Sequence, residues 1–191
     1  MSNDFTLHTG TAGANATMAS MSNQKMIILG FDPGVSGGWC AIDNNGLFVG
    51  AKPLPTVKLK NGKRELDIRS LRIELVLLLI QHHVESRNCV AYVEHVHAFP
   101  GQGVSSCFSF GANWGMIRGL VAALGMREVL VSPQRWMSAY KKSKKDKFDS
   151  TKYVPKHFPN LQVLASPRCK KPHDGVCDAV CIASYGYGNH M

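Results

Sequence analysis

Apolar residues follow two patterns along this chain, short continuous runs and repeats of three to four positions. The runs lie between turn residues such as the Pro33-Gly34 pair and the Asn44-Asn45-Gly46 triplet, a layout that favours strands. Five strands are predicted, over 26–32, 38–43, 47–54, 89–96 and 127–133. Because only short turns join the first three strands, we expect them to form an antiparallel meander.

Apolar residues spaced three or four positions apart predict helices between and after the later strands. The predicted helices cover 67–83, 107–125, 133–140, 149–158 and 173–188. The second helix carries small residues that we expect to pack closely on the sheet, at positions 111, 112, 115, 119 and 122–123. The basic stretch 54–65 is predicted to be a loop. A meander followed by alternating helices and strands is typical of an α/β domain with a mixed sheet.

One folded domain is predicted to follow a disordered leader. Residues 1–24 are small and polar without apolar periodicity, so they cannot bury enough surface to fold. The remaining residues, 25–191, suit a single domain of ordinary size. The longest apolar run, 75–80, is far shorter than the roughly 20 residues of a membrane span, so no membrane association is expected.

The charge of the chain is strongly basic. It carries 22 basic and 13 acidic residues, a net charge of +9, which favours a polyanionic partner. Nucleic acid is a better candidate than a membrane surface, because no basic amphipathic helix stands out. A basic protein without such a partner is the alternative.

The six cysteines form no CxxC pair, and no secretory signal precedes them. Reduced thiols and a cytoplasmic location are therefore expected. A repeat of four soft ligands raises the alternative of a zinc site, at Cys169, His173, Cys177 and Cys181. Pro172 should begin the last helix and leave Cys169 outside its register, which argues against zinc.

Four carboxylates lie where charge is costly or unpaired. Asp32 and Glu94 each end an apolar strand, where a carboxylate is unfavourable unless something positive meets it. Asp174 and Asp178 are four residues apart on the last helix and therefore share one face. If this helix crosses the two strand ends, all four acids converge. Such a cluster suits hard divalent cations, and two Mg²⁺ ions there can promote hydrolysis of a phosphodiester.

Three blocks of sequence resemble a known family: GFDPGVSGGW at 30–39, YVEHVHAFPGQGVSSCFSFG at 92–111 and HDGVCDAVCIASYG at 173–186. Together they resemble the RuvC-type crossover-junction endonucleases of the RNase H-like superfamily, and most of all the short resolvases of bacteriophages. The resemblance implies an RNase H-like fold, a five-stranded mixed sheet with helices on both faces. It also implies a homodimer that nicks four-way (Holliday) DNA junctions in recombination and repair.

The resemblance further implies which residues hold the metal. By position, Asp32, Glu94, Asp174 and Asp178 match the acids that bind two Mg²⁺ ions per site, which Mn²⁺ could replace. The better-known bacterial enzymes place the last two ligands three residues apart, whereas the gap here is four. This difference leaves His173 as an alternative to Asp174.

Two segments are candidates for DNA contact. Phe99 and Gln102 follow the strand that ends at Glu94, so they are expected at the edge of the cleft. In the family an aromatic residue near this point can wedge against unpaired bases, although Phe99 could instead close the core under the loop. The second segment is a lysine run able to neutralise phosphates, formed by Lys141, Lys142, Lys144, Lys145 and Lys147. A flexible solvated loop is the alternative for this run.

Two opposed cuts at one junction need two active sites, and one chain carries one set of acids. A homodimer is therefore expected. The second helix is the candidate interface, with Phe108, Trp114, Ile117 and Arg118 on the side away from the sheet; ordinary core positions are the alternative for Trp114 and Ile117. Two other functions remain open: an RNase H-like nuclease acting on RNA or hybrids, and a branched-DNA binding module without catalysis.

Overall fold

A computed structural model describes residues 25–95, 97, 101, 103–143 and 145–190. Its seven strands are β1 (Ile27–Asp32), β2 (Gly38–Asp43), β3 (Phe48–Pro53), β4 (Thr56–Lys58), β5 (Arg64–Leu66), β6 (Cys89–Glu94) and β7 (Arg127–Val131). Its five α-helices are α1 (Ile68–His82), α2 (Val104–Ala123), α3 (Pro133–Ser138), α4 (Ser150–His157) and α5 (Asp174–Gly188), and a 3₁₀ turn covers Ser86–Asn88. The predicted leader, 1–24, lies outside the described residues and stays a prediction.

The main sheet has five strands in the order β3-β2-β1-β6-β7. Strands β1, β2 and β3 pair antiparallel, whereas β6 pairs parallel to both β1 and β7. The sheet is therefore mixed, as the sequence predicts. The parallel pairing of β1 with β6 brings the carboxyl ends of these two strands to the same edge.

Helices cover both faces of this sheet. Alternate β1 residues Ile27, Leu29 and Phe31 pack into a core with α1 and α2. Ile28 points to the opposite face, into a second core with α3, α4 and α5. Because both faces of β1 are buried, its sequence is a continuous apolar run rather than an alternating one.

The stretch 54–65 is not a plain loop. It contains most of a small antiparallel hairpin of β4 and β5, in which Lys58 lies opposite Arg64. Gly62 has a positive φ of 82° in the turn between the strands. The loop prediction was wrong because both strands are three residues long and largely exposed, so they carry almost no apolar pattern.

The small residues of α2 do not pack on the sheet. Gly111, Gly115 and Gly119 are exposed, and a Cβ added to any of them would meet nothing within 4 Å. The buried side of the helix is instead formed by Asn113, Ile117, Leu120 and Val121. Larger side chains face inward because they bury apolar area that glycine does not offer.

None of the helices in the described part of the chain has both the length and the apolar character that a membrane span requires.

Candidate active site

Asp32 and Glu94 end neighbouring parallel strands. Phe31 lies opposite Val93 in the β1–β6 register, so the next residue on each strand is one of the two acids. Both carboxylates are only partly buried. The apolar runs of β1 and β6 therefore deliver two negative charges to one point at the sheet edge.

Helix α5 brings the other two acids to this point, because glycines let it lie very close to the sheet. A Cβ on Gly30 would be 2.4 Å from the Ala179 carbonyl oxygen, and one on Gly38 would be 2.5 Å from the Gly175 carbonyl oxygen. Gly37 and Gly175 also form a backbone bridge between the turn after β1 and the start of α5. The first turns of α5, which carry Asp174 and Asp178, are thus fixed against the end of β1.

Electrostatics show that the four acids face one another. Burial raises the pKa of Asp32 well above its ordinary value, and the negative charges of Glu94, Asp178 and Asp174 raise it further. Burial likewise raises the pKa of Glu94, with Asp178 adding to the shift. The convergence predicted from sequence is present in the fold.

Two neighbouring residues hold Glu94. The Trp136 indole Nε1 donates to the Glu94 carboxylate at 2.8 Å, and this hydrogen bond lowers the Glu94 pKa against the effect of burial. The Trp114 indole Nε1 donates to the Glu94 backbone carbonyl at 3.0 Å. Trp136 is fully buried, so its ring fixes the direction from which the carboxylate is held.

Asp178 is the most perturbed acid of α5. Burial raises its pKa to about 6, the Ser150 hydroxyl lowers it in part, and the charge of Asp174 raises it. Ser150 is buried at the first position of α4. This acid is therefore partly protonated near neutral pH unless a cation compensates for its burial.

His173 has a structural role at the start of α5. Its Nδ1 accepts a hydrogen bond from the Val176 backbone N–H at 3.2 Å, which caps the helix. Asp174, the next residue, contributes to the raised pKa of Asp32. The geometry thus favours Asp174 over His173 as the member of the acid cluster.

Within the described part of the chain, the acid cluster has no ion-paired cation. Among the described residues, no lysine, arginine or histidine forms an ion pair with any of the four carboxylates. In their present conformations, the His, Cys, Asp and Glu side chains of the described residues form no group of three or more that could hold a metal ion. The chemistry of the donors, clustered carboxylate oxygens with unbalanced charge, fits divalent cations. Such ions would require the carboxylates to turn closer together.

The zinc alternative finds no support in the same residues. Cys177 and Cys181 are buried in the core under α5, and burial raises the pKa of the Cys177 thiol to about 12. The Cys169 sulfur lies 3.3 Å from the Ser166 hydroxyl. Cys40, Cys89, Cys169, Cys177 and Cys181 are free thiols.

The lysine run joins two helices that contact the acid cluster. It connects α3, whose Trp136 holds Glu94, to α4, whose Ser150 contacts Asp178. Lys142, Lys145 and Lys147 are exposed and Lys141 is half-buried, whereas Lys144 lies outside the described residues. The aromatic residues that accompany the run are not free for DNA, since Trp136 is buried and the Tyr140 hydroxyl donates to the Cys181 carbonyl.

The predicted base contacts and the predicted dimer interface have different outcomes. Phe99 and Gln102 lie outside the described residues, so their contacts stay predictions.

On α2, Phe108 is 79 % exposed as expected, but Ile117 is fully buried. Trp114 packs against the core, and Arg118 forms a two-point ion pair with Glu128 at 2.8 and 2.9 Å. The interface prediction was therefore wrong for Ile117, which lies on the buried side of the helix, whereas Trp114 and Arg118 are half-buried and their place in an interface stays a prediction.

Sequence reasoning missed Trp136 and Ser150 as supports of the acids. The sequence shows only that each lies near the start of a short helix: Trp136 in the helix capped by Ser132, and Ser150 in the helix capped by Asp149. Nothing in the spacing of either residue points to a particular carboxylate, because the contacts join segments 28 and 42 residues apart.

The chain is similar in fold to solved structures of RuvC. No protein-family model matches it, and no curated protein matches it. Among solved structures, Thermus thermophilus RuvC in complex with a Holliday junction substrate is similar at 15% identity and a TM-score of 0.48. That similarity covers 87% of this chain and 96% of the other.

Two further solved structures are similar. A second structure of Thermus thermophilus RuvC has 14% identity and a TM-score of 0.45, covering 87% of this chain and 96% of that one. The yeast mitochondrial Holliday junction resolvase Ydc2 has 14% identity and a TM-score of 0.44, covering 86% of this chain and 80% of that one. The expected bacteriophage origin stays a prediction.

Proposed function

We propose that this chain is a metal-dependent endonuclease that cuts branched DNA, above all four-way junctions. The observation that carries the proposal is the acid cluster: four carboxylates at one sheet edge, three of which raise the pKa of Asp32, with no ion-paired cation among the described residues. Burying like charges together is unfavourable for folding and is expected where the function requires it. The net charge of +9 favours a polyanionic substrate for such a site.

Asp32, Glu94, Asp174 and Asp178 would hold two Mg²⁺ ions, which Mn²⁺ could replace. When bound, such ions supply an activated water and stabilise the leaving oxygen of a phosphodiester. The protein's own contribution is to orient the carboxylates. Trp136 fixes one oxygen of Glu94, and Ser150 contacts Asp178.

DNA is proposed to reach the acids across the lysine run. Because the run joins two helices that both contact the acid cluster, we propose that its ammonium groups lie at the rim of the site. They can neutralise phosphates without reading sequence. Phe99 and Gln102, which follow Glu94 closely in the chain, are proposed to contact unpaired bases at the other rim.

A homodimer is proposed because two opposed nicks require two sites. Helix α2 offers an apolar exposed stripe formed by Val104, Phe108, Gly111, Gly115 and Gly119. Val104 is 87 % exposed and Phe108 79 % exposed, and the glycines leave room for close backbone approach. This stripe keeps the helix and the Phe108 of the interface predicted from sequence, and it omits the buried Ile117. The place of action is proposed to be the cytoplasm, since free thiols are typical of reducing compartments.

The test is a cleavage panel with Mg²⁺ that contains a four-way junction, a flap, an RNA–DNA hybrid and a linear duplex. We expect paired nicks in the junction and much weaker cutting of the linear duplex. Preferential cutting of the hybrid would assign the chain to RNA-directed nucleases instead. Tight junction binding without any cutting would make it a binding module.

A further inference from the structure

A cavity of about 470 Å³ lies between the β4–β5 hairpin, the turn after β1 and the start of α2. It is separate from the acid cluster but shares an element with it. Val35, three residues after Asp32, forms part of its wall, and the Phe110 ring lies 3.9 Å from the position of a Cβ on Gly34. A ligand in this cavity would therefore contact the turn that follows the first catalytic acid.

One wall carries an amide that is open to the cavity. Asn113 lines the cavity in the middle of α2 and is 4 % exposed. Within the described part of the chain, its side chain makes no hydrogen bond to another residue. The amide is reached from the cavity, so a ligand that enters can pair with it.

The opposite wall carries two cations. Lys63 and Arg64 line the cavity from β5 and the turn before it, and neither forms an ion pair with a described carboxylate. The Lys63 ammonium donates to the Ser105 hydroxyl at 3.3 Å, which holds it across the cavity mouth. The Arg64 guanidinium donates to Thr56 at 2.6 and 2.8 Å.

Hydroxyls and backbone N–H groups at the start of α2 also line the cavity. Ser105, Ser106 and Ser109 face the cavity from the first two turns of α2. The residue before the helix, Gly103, offers no side-chain cap, so the N–H groups of Val104 and Ser105 are open to an anion, whereas those of Ser106 and Cys107 donate to the Gly103 carbonyl. Cations, hydroxyls and a helix N-terminus together favour a phosphate group.

The amide, the apolar side chains and the group of cations and hydroxyls each suit a different part of one nucleotide. The amide can pair with the edge of a nucleobase, since Asn is both donor and acceptor. The apolar side chains of Val35 and Phe110 can cover the face of a base. The cations and hydroxyls suit the adjoining phosphate.

We infer that the cavity between the β4–β5 hairpin and α2 binds one unpaired nucleotide of the DNA substrate, with its base directed to Asn113 and its phosphate to Lys63. This inference rests on the proposed function and adds a subsite to it. Strands pass from one arm to another at the crossover of a four-way junction, so a nucleotide there can leave the stack, and the cavity would hold that strand while the acid cluster cuts.

The test measures binding in EDTA, where no cutting occurs. The probe is a four-way junction with one unpaired 2-aminopurine at the crossover, whose fluorescence changes when the base leaves the stack. Lys63→Ala is compared with Lys58→Ala, which removes the same charge from the same hairpin outside the cavity. We expect Lys63→Ala to weaken binding about five- to tenfold and Lys58→Ala much less.

Asn113→Leu separates ligand binding from folding. Because it replaces an amide that has no partner among the described residues by an apolar group of similar size, we expect the melting temperature to stay equal or rise. The fluorescence response of the 2-aminopurine should nevertheless disappear. A lowered melting temperature with an intact fluorescence response would show that Asn113 is only structural and would overturn the inference.

The remaining outcomes separate this inference from the proposed function. If the wild type binds the junction and the two variants Lys63→Ala and Lys58→Ala have equal affinity for it, the cavity subsite is overturned and the proposed function is not. Displacement of the probe by free deoxynucleoside monophosphates as readily as by DNA would make it a small-molecule site and would also overturn the inference. Absence of any junction binding by the wild type would overturn the proposed function and the subsite together.

Discussion

At the scale of single residues, the acids depend on side chains that fix them. Trp136 is the clearest example, because a fully buried indole donates its only hydrogen bond to Glu94 at 2.8 Å. Trp39 offers a matched case elsewhere: it is also buried, and its indole donates to Glu74 at 3.2 Å. Trp136 holds an acid of the candidate site, whereas Trp39 holds a glutamate outside it. Comparing variants of the two tryptophans therefore distinguishes an effect on the site from an effect on packing.

Trp136→Phe should reduce cleavage about 10- to 100-fold, because it keeps an aromatic ring and removes the donor that orients Glu94. The pKa of Glu94 should rise, which moves the acidic limb of the pH–rate profile to higher pH. Trp39→Phe, the control, should cost similar stability and leave the profile unchanged. Equal reductions of activity in both variants would show that Trp136 acts only through packing.

The raised pKa of Asp178 gives the metal-free protein an unusual pH dependence. Its folded pKa of about 6 exceeds its unfolded value, so the folded state binds the proton more tightly. The resulting destabilisation is fully present above pH 6 and is relieved as pH falls from about 6 toward 4. Relative to Asp178→Asn, the free energy of unfolding of the wild type in EDTA should rise by on the order of 2 kcal/mol as the pH falls over this range. Chemical denaturation at a series of pH values measures this, and a constant difference would contradict it.

At the scale of elements, the apolar pattern predicted the buried strands and most helices, but not what lies at the surface. The strands β1, β2, β6 and β7 carry enough apolar residues to be predicted within one or two residues. The hairpin of β4 and β5 carries few, so only its basic charge was visible.

The orientation of α2 shows a second limit. Glycine every fourth residue suggested close packing on the sheet, yet these positions are exposed. Ile117, Leu120 and Val121 also repeat at helical spacing, and burial of their apolar area decided the orientation. The acids of the candidate site were predictable because strand ends and one helix face fix them. Trp136 and Ser150 were not, because tertiary packing alone brings them near.

The lysine run should set the salt dependence of DNA binding. Replacing Lys141, Lys142, Lys144, Lys145 and Lys147 together by alanine should reduce the slope of log affinity against log salt by about 0.9 for each phosphate that is no longer neutralised. Replacing the same residues by arginine keeps the charge and should preserve the slope. Anisotropy titrations of junction DNA at several salt concentrations measure it, and an alanine variant with the wild-type slope would exclude the run from the interface.

At the scale of the whole molecule, the proposal requires two chains. Phe108→Asp should convert a dimer into a monomer without unfolding it, because the side chain is 79 % exposed within the chain. Leu77→Asp on α1, at 60 % exposure, is the matched control on another apolar surface. Sedimentation velocity with and without junction DNA distinguishes them. Dissociation by Leu77→Asp alone would place the interface on α1, and a monomer that makes paired cuts would refute the dimer.

The central claim is that the acid cluster catalyses the cutting of junction DNA. The most direct measurement follows Mg²⁺-dependent nicking of a four-way junction, together with junction affinity, for Asp32→Asn and Asp43→Asn. Both variants change an aspartate that ends a strand of the meander, but Asp43 accepts only local turn hydrogen bonds from Asn45 and Leu47. We predict that Asp32→Asn binds the junction and does not cut it, whereas Asp43→Asn does both. Nicking by Asp32→Asn at the wild-type rate would contradict the account.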